Sequence, residues 1–142
     1  PIALSTLRSA YHMTSRYKEA LEIWRRSFAA KGDLQAEAAV GTGSTESEYH
    51  AALENVAKIM IARSDTGHVT PWQIATLYTR AGNRQEAINW LEKAFAYRDP
   101  NMPYISIDPI FDYLRDDPRF KALLEQMHFP ERQSDQTEIN KP

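Results

Sequence analysis

Apolar residues recur along the chain at intervals of three and four, which is the spacing of one face of an α-helix. They never alternate with polar residues over a long enough stretch to predict a strand. The pattern predicts two helices around a weak break at 14–16, a short Ala-rich helix over 34–40, and a longer helix that carries Tyr49 to Met60. Two more helices flank Gly82-Asn83, and two compact helices begin at Asp108 and Asp117. We therefore predict an all-α fold.

Capping residues and glycines mark where these helices begin and end. Gly32 suits the left-handed position that closes a helix, and the segment 41–43 contains two glycines, which is typical of a loop. Ser44 or Thr45 is expected to cap the helix that follows. Thr70 precedes Pro71, a residue favoured at the first helical position. The same pairing of a capping residue with proline occurs at Asp108-Pro109 and Asp117-Pro118.

The connector at 99–109 and the two chain ends interrupt the helical pattern. The connector holds three prolines but also Tyr104, Ile105 and Ile107, so we expect it to pack onto the helices, with a short unpaired strand as an alternative. Residues 131–142 are polar and are predicted to be disordered. A helical pattern already begins at Ile2, without a polar lead-in, which is typical of a module excised from a larger protein.

The spacing of aromatic and small residues indicates an internal repeat. In two places a tyrosine is followed nine residues later by alanine and four residues after that by a large apolar residue. These triplets are Tyr11, Ala20 and Trp24, and then Tyr78, Ala87 and Leu91. The tyrosines lie 67 residues apart, close to twice a period of about 34. Each unit therefore reads as two antiparallel helices, with the alanine at their closest approach and Trp24, Trp90 and Leu91 in the core.

These residues resemble the tetratricopeptide repeat (TPR) family. The match is best over 72–87, and the segment 108–120 is similar to the closing segment of TPR arrays at the C-terminal ends of multidomain bacterial regulators. The resemblance implies antiparallel helix pairs stacked as a short right-handed superhelix with a C-terminal helical cap. It implies one domain, 1–130, with units at 1–33, 34–67 and 68–100 and a cap at 101–130. The middle unit departs from the pattern, so we expect it to be irregular.

The resemblance implies a cytoplasmic, non-catalytic module for protein–protein interaction or self-association within a larger bacterial regulatory or signalling protein. Its partner would be a protein or peptide, and an apolar edge exposed on the first helix would allow a homodimer. The alternative is a ligand-sensing domain that binds a small molecule or peptide in its concave face. The inner-facing candidates for partner binding are Ser5, Ser9, His12, Trp72, Thr76 and Arg80.

Composition and motifs narrow the chemistry further. The chain has 142 residues, a net charge of -2 and no cysteine, so it lacks the basic field of a nucleic-acid binder and any thiol chemistry. No apolar run is long enough to cross a membrane. Glu46 and His50 lie one turn apart but lack a second metal-ligand motif. The acidic residues at 108–117 are explained by capping and ion pairing. We predict no enzyme activity, cofactor or metal, unless a buried cluster of perturbed histidines or carboxylates reveals a site that the motifs miss.

Overall fold

The computed structural model describes residues 2–127, with side chains from Leu4 onward, and over this range every regular element is a helix. The α-helices are α1 Ile2–Met13, α2 Tyr17–Ala30, α3 Leu34–Val40, α4 Glu46–Ala62, α5 Pro71–Arg80, α6 Arg84–Ala96 and α7 Pro118–Gln126. Short 3-10 helices occupy Ser64–Thr66, Met102–Ser106 and Pro109–Leu114. The predicted all-α fold is confirmed. The tail predicted at 131–142 lies outside the described residues, and the division into repeat units is still a prediction.

Four helices, α1, α2, α5 and α6, end in the same kind of turn, each with one residue in the left-handed conformation, which after α6 is Arg98. The N–H of the residue directly after the left-handed one donates to a carbonyl five residues back, as in Asp33 to Phe28 (2.9 Å) and Asn83 to Tyr78 (3.1 Å), a closure common at helix C-termini. Gly32 and Gly82 supply the left-handed conformation there, with φ of 71° and 74°. After α1 the corresponding residue is Ser15, with φ of 59°. The turn between α1 and α2 is therefore made by a residue that pays a steric cost for it.

Side-chain caps fix where α4 and α5 begin. The Thr45 hydroxyl accepts from the Glu48 N–H at 3.1 Å, and the Glu48 carboxylate accepts from the Thr45 N–H at 3.1 Å. Of the two caps expected for α4, the structure therefore has Thr45. Thr70 and Gln73 form the same reciprocal capping box at the start of α5. Because both starts are determined locally, sequence reasoning located them well.

The core lies between the successive helices, each of which packs against the next. Ala20 and Ala87, predicted to stand where paired helices approach closest, are both completely buried. On α6 the buried face is carried by Ile88 and Leu91, whereas Trp90, expected in the core, is only half-buried. Its ring instead lies under the Lys93 ammonium, 4.0 Å from the ring centroid, so it covers the edge of the core rather than its centre.

The connector after α6 forms a 3-10 helix over Met102–Ser106 instead of the strand considered as an alternative. Ile105 is buried as expected, but the expectation was wrong for Tyr104 and Ile107, which are 53% and 70% exposed. A 3-10 turn places neighbouring side chains on different sides, so only part of this apolar run can face the core. The Arg115 guanidinium donates to the Ile105 carbonyl at 2.9 Å. This bond holds the connector against the C-terminal segment, which we define as residues 109–126.

Helix α1 packs differently from the other helices because its inward face is polar. Leu7, on the apolar stripe seen in the sequence, is 40% exposed, while Arg8, Ser9 and His12 turn toward the rest of the chain. Within residues 2–127, no helix combines the length and apolarity that crossing a bilayer requires.

Candidate functional site: a basic cluster and the adjoining groove

The C-terminal end of α5 meets the middle of α1 through a buried arginine. Arg80 is only 7% exposed, and its Nη2 donates to the Ser9 hydroxyl at 3.1 Å. Two residues predicted to face inward, 71 positions apart in the chain, are thereby brought together. No carboxylate forms an ion pair with Arg80 among the described residues. Asp108 attracts its charge from a distance but uses its own Oδ1 to accept from the Ile110 N–H.

A second arginine, Arg8, lies beside Arg80 on the same indole. The guanidinium carbon of Arg8 is 3.9 Å from the Trp24 ring centroid, and that of Arg80 is 6.0 Å away. The Nε atoms of both arginines are buried without a hydrogen-bond partner, and within residues 2–127 the Arg8 side chain makes neither an ion pair nor a hydrogen bond. Two positive charges therefore share one partly buried location without a neutralising carboxylate.

This location changes the proton affinity of both guanidinium groups. Burial and the charge of Arg80 lower the pKa of Arg8 to about 10, and burial likewise lowers the pKa of Arg80. Desolvation disfavours the charged form, and a neighbouring like charge acts in the same direction. Both groups stay charged near neutral pH, so the cluster carries uncompensated positive charge. An approaching anion would relieve that electrostatic cost.

Next to the arginines, a histidine–tyrosine pair extends the cluster toward α4. A hydrogen bond of 2.8 Å joins His12 Nδ1 and the hydroxyl of Tyr49, whose side chain is fully buried. Burial, with contributions from Arg80 and His50, lowers the pKa of His12 to about 4, whereas burial raises the pKa of Tyr49 to about 12. Both side chains are therefore neutral near pH 7, and they add polarity to the cluster without adding charge.

An open groove of about 400 Å³ runs from Arg8 across the faces of α2 and α5. We call it the α2–α5 groove. Its apolar lining consists of Trp24, Phe28, Met60, Val69 and Leu77, and its charged lining consists of Arg8, Lys31, Asp33 and Arg63; Thr66, His68, Gln73 and Thr76 complete it. The groove thus combines an aromatic and aliphatic surface with a basic rim.

Two of the charged side chains that line the groove, Asp33 and Arg63, neutralise each other. Asp33 accepts from both terminal nitrogens of Arg63, at 2.6 and 2.9 Å, in the forked geometry that arginine and carboxylate prefer. This contact lowers the pKa of Asp33. Lys31 and Arg8 have no ion pair among the described residues. The groove therefore presents positive charge in excess.

A second surface depression differs from the α2–α5 groove in the way its charged side chains are paired. It encloses about 500 Å³ on the outer side of α2 and beside the loop at 41–43. There Glu22 pairs with Arg25 at 3.2 Å, and Glu19 pairs with Arg16 at 3.0 Å. None of the described side chains in its lining is a buried charge without a partner. Both carboxylates of the lining are paired, and its cations Lys18 and Arg26, which have no ion pair among the described residues, are exposed to water, as is typical of an ordinary solvated helix face.

The predicted partner-binding residues divide into two groups. Ser9, His12 and Arg80 belong to the basic cluster, and Thr76 lines the α2–α5 groove. Trp72, predicted as a binding hot spot, lies outside the lining and packs on Phe111, with ring centroids 5.7 Å apart. Ser5 is exposed on α1 and is also outside the lining.

Sequence reasoning missed Arg8 and assigned Trp24 to the core alone. The spacing of Arg8 and His12, four residues apart, places both on one helix face. That polar face, opposite the stripe containing Leu7, was a signal that α1 buries charge. The partner Arg80 is 72 positions away from Arg8, and no local pattern joins the two.

The acidic and histidine-containing patterns resolve into ordinary helix contacts. Glu46 and His50 approach only to 3.9 Å at the exposed start of α4. Asp108 and Asp117 cap the segments that follow them, and Asp112 accepts from Arg115 at 2.8 Å. Across residues 2–127 there is no group of three side chains placed to hold a metal ion.

Comparisons with models of known protein families, with curated proteins and with solved structures gave no match. The resemblance to TPR repeats therefore depends on the residues quoted from the sequence. The site is interpreted from its own chemistry.

Proposed function

We propose that the chain is a non-catalytic recognition module and that the α2–α5 groove is its binding surface for a protein or peptide partner. In this proposal the module is the C-terminal part of a larger bacterial regulatory or signalling protein in the cytoplasm. Its helix pairs stack as a short TPR-like right-handed superhelix closed by the C-terminal segment. The shared closure of the turns after α1, α2 and α5 and the buried alanines at 20 and 87 support this arrangement.

The groove is the observation that carries the proposal. It combines apolar surface, which supplies binding free energy, with a few polar and charged groups, which supply specificity. Trp24 and Phe28 stack with centroids 5.8 Å apart and form a rigid aromatic floor. Aromatic and arginine side chains dominate the free energy of many interfaces. Trp24, Phe28 and Arg8 supply both kinds of side chain here.

The histidine–tyrosine pair does not change the proposal into one for an enzyme. General base catalysis by His12 would need a nucleophile or substrate within hydrogen-bond reach of the ring. The Nδ1 atom is bonded to Tyr49, whose pKa of about 12 keeps the hydroxyl protonated. The pair therefore generates no strong nucleophile, and we assign it to the support of α1.

A peptide-display selection against the whole chain tests this proposal. Selected peptides are titrated against the wild type, Thr76→Trp, which fills the groove, and Ala96→Trp, which adds the same side chain on the exposed end of α6. We expect binding to wild type and Ala96→Trp and at least a tenfold loss for Thr76→Trp. Equal binding to all three, or a selection that enriches no peptide, would contradict the proposal.

Ligand sensing is the second candidate function, and the dimensions of the groove favour it. A volume of about 400 Å³ falls within the range of roughly 300–1,000 Å³ that is typical of pockets for small molecules. A bound molecule would contact α1, α2 and α5 together. Binding would then couple to the way the first and third helix pairs are held.

Self-association through the first helix is a further part of the proposal. Leu7 and Met13 are 40% and 49% exposed on α1, so an apolar edge is available to a second copy. Sedimentation of the wild type and Leu7→Glu measures it directly. A dimer that Leu7→Glu dissociates would support the proposal, and a monomer at all concentrations would contradict it.

A further inference from the structure

We propose that the natural occupant of the α2–α5 groove is a small organic anion, whose carboxylate or phosphate group binds Arg8 and whose apolar body covers Trp24 and Phe28. The inference rests on the second candidate function, ligand sensing, and shares with the first only the groove as the recognition surface. It goes further in naming the chemistry of the ligand and the residue that recognises it.

The first observation behind the proposal is that two arginines lack an accompanying anion. Arg80 is 93% removed from solvent, has one neutral hydrogen-bond partner, and retains a buried Nε without any partner. Burying a guanidinium is costly unless a carboxylate or another anion accompanies it. Within residues 2–127 neither Arg80 nor Arg8 has such a companion. The missing negative charge is therefore expected from a ligand.

Arg8 is the arginine that a ligand can reach. It lines the groove, whereas Arg80 lies behind it on the same indole. Contact with the Trp24 ring at 3.9 Å holds the planar guanidinium in one orientation before any ligand arrives. Its terminal nitrogens are free to make the paired hydrogen bonds that carboxylates and phosphates accept. Arg80 contributes charge without direct contact.

The rest of the groove matches an anion with an apolar body. Among the described residues, Asp33 is the only carboxylate in the lining and is occupied by Arg63, while Lys31 has no ion pair. Phe28 and Leu77 also line the groove, and the small exposed part of each largely buried side chain adds apolar surface to it. A purely inorganic ion would use the rim and leave this surface uncovered. A small aromatic or aliphatic anion uses both.

The experiment titrates the whole chain with phenyl phosphate, benzoate, benzyl alcohol and inorganic phosphate. Calorimetry gives affinity, and the NMR signal of the Trp24 indole N–H reports the location. We expect one or both aryl anions to bind at least tenfold more tightly than benzyl alcohol and inorganic phosphate, with a shift of the Trp24 signal. The better of the two anions identifies the ligand as a phosphate or a carboxylate.

Variants of Arg8 test whether its guanidinium contacts the anion. Arg8→Gln is expected to weaken binding of the preferred anion at least tenfold, and Arg8→Lys to restore only part of it, because lysine lacks the fork. Arg26→Gln is the matched control, since it removes one exposed arginine from the same neighbourhood of α2. Thermal denaturation confirms that each variant is folded. If a variant at position 8 is unfolded, the test uses the wild type instead. The salt dependence of binding and competition among the four ligands for the groove then decide whether an anion is recognised.

Each outcome bears on the proposal. Equal binding of benzyl alcohol and the anions, or an unchanged affinity in folded Arg8→Gln, would overturn it. Binding of inorganic phosphate as tight as that of phenyl phosphate would also overturn it, because the apolar surface would then play no part. If peptides from display bind the groove but no small anion does, the inference fails while the proposed function stands. If neither binds, both fail.

Discussion

Replacing Arg80 with methionine should stabilise the protein, although it removes a buried side chain that bonds to another helix. Arg80→Met keeps a flexible, unbranched apolar stem that reaches about as far as the arginine Nε, but removes the guanidinium and its charge. In the structure this guanidinium is 7% exposed, has a buried Nε without a partner, and repels Arg8 and any proton on His12. An arginine placed for stability would instead be paired with a carboxylate.

The magnitude follows from opposing contributions. The hydrogen bond to Ser9 contributes about 1.5–3 kcal/mol because one partner is charged, and its loss is reduced because the half-buried Ser9 hydroxyl can bind water. Against it stands the desolvation of the guanidinium, which is several kcal/mol, together with repulsion from Arg8. Replacing buried charges with apolar groups of similar volume often gains about 1–4 kcal/mol. We expect Arg80→Met to gain about 1–3 kcal/mol.

Urea denaturation at pH 7, followed by circular dichroism, measures this difference, and thermal denaturation gives a second readout. At this chain length a gain of 1 kcal/mol corresponds to an increase in Tm of about 3–4 °C. Arg80→Lys is the control, because it retains a charge at the same place and should show no gain. The same Arg80→Met variant should bind the anion less well, since stability and binding would then be in conflict.

The result that would refute the reasoning is a destabilisation. If Arg80→Met lowers the free energy of unfolding by more than about 1 kcal/mol, Arg80 is a structural link between α1 and α5. Its charge would then be compensated by surroundings such as Asp108, and the cluster would need no ligand. A gain in Arg80→Lys equal to that in Arg80→Met would show that the effect does not come from charge.

Three further predictions concern packing, backbone conformation and pH. Ala87→Leu should destabilise the protein by about 1–3 kcal/mol, because Ala87 is completely buried where α5 and α6 meet. The control Ala96→Leu, on the exposed end of α6, should change the stability little. An unchanged Tm for Ala87→Leu would count against the repeat alignment. Ser15→Gly should stabilise by about 0.5–1 kcal/mol in urea denaturation, because φ is 59° there, and a loss of stability would show that the serine side chain matters more than the backbone. In the folded state, burial and the charge of Arg80 lower the pKa of His12 to about 4. The unfolded state therefore binds more protons between about pH 6.5 and pH 4, so the free energy of unfolding should fall as the pH falls through this range. We expect His12 to contribute a loss of about 2 kcal/mol, after allowance for its partial exposure. Denaturation curves of the wild type and His12→Gln at several pH values isolate this contribution, and parallel pH profiles would contradict it.

Local chemistry was sufficient to predict most of the helices. Thr70-Pro71 and Asp117-Pro118 begin helices through bonds within one turn, so their effect does not depend on the rest of the chain. The small residues Ala20 and Ala87 were recognisable because close helix packing requires them at a regular spacing. In the connector, local apolarity was misleading, because a 3-10 turn left Tyr104 and Ile107 in solvent.

The candidate site was only partly predictable. Ser9, His12 and Arg80 were expected on inner faces from the resemblance to TPR helix pairs. Trp72 was predicted to bind a partner, and this is still a prediction; the structure shows that Phe111 lies against its ring. Which inner-facing residues contact a ligand depends on what the neighbouring helices already cover, and that is not a property of one helix.

The sequence by itself determined the helices and most of their caps, because these depend on residues within one or two turns of each other. Only the tertiary structure decided that Arg8 and Arg80 share one tryptophan without a carboxylate, and that the α2–α5 groove opens beside them. The physical reason is distance along the chain. A charge is compensated or left uncompensated by whatever the fold brings within a few ångströms, and residues 72 positions apart carry no local record of that contact.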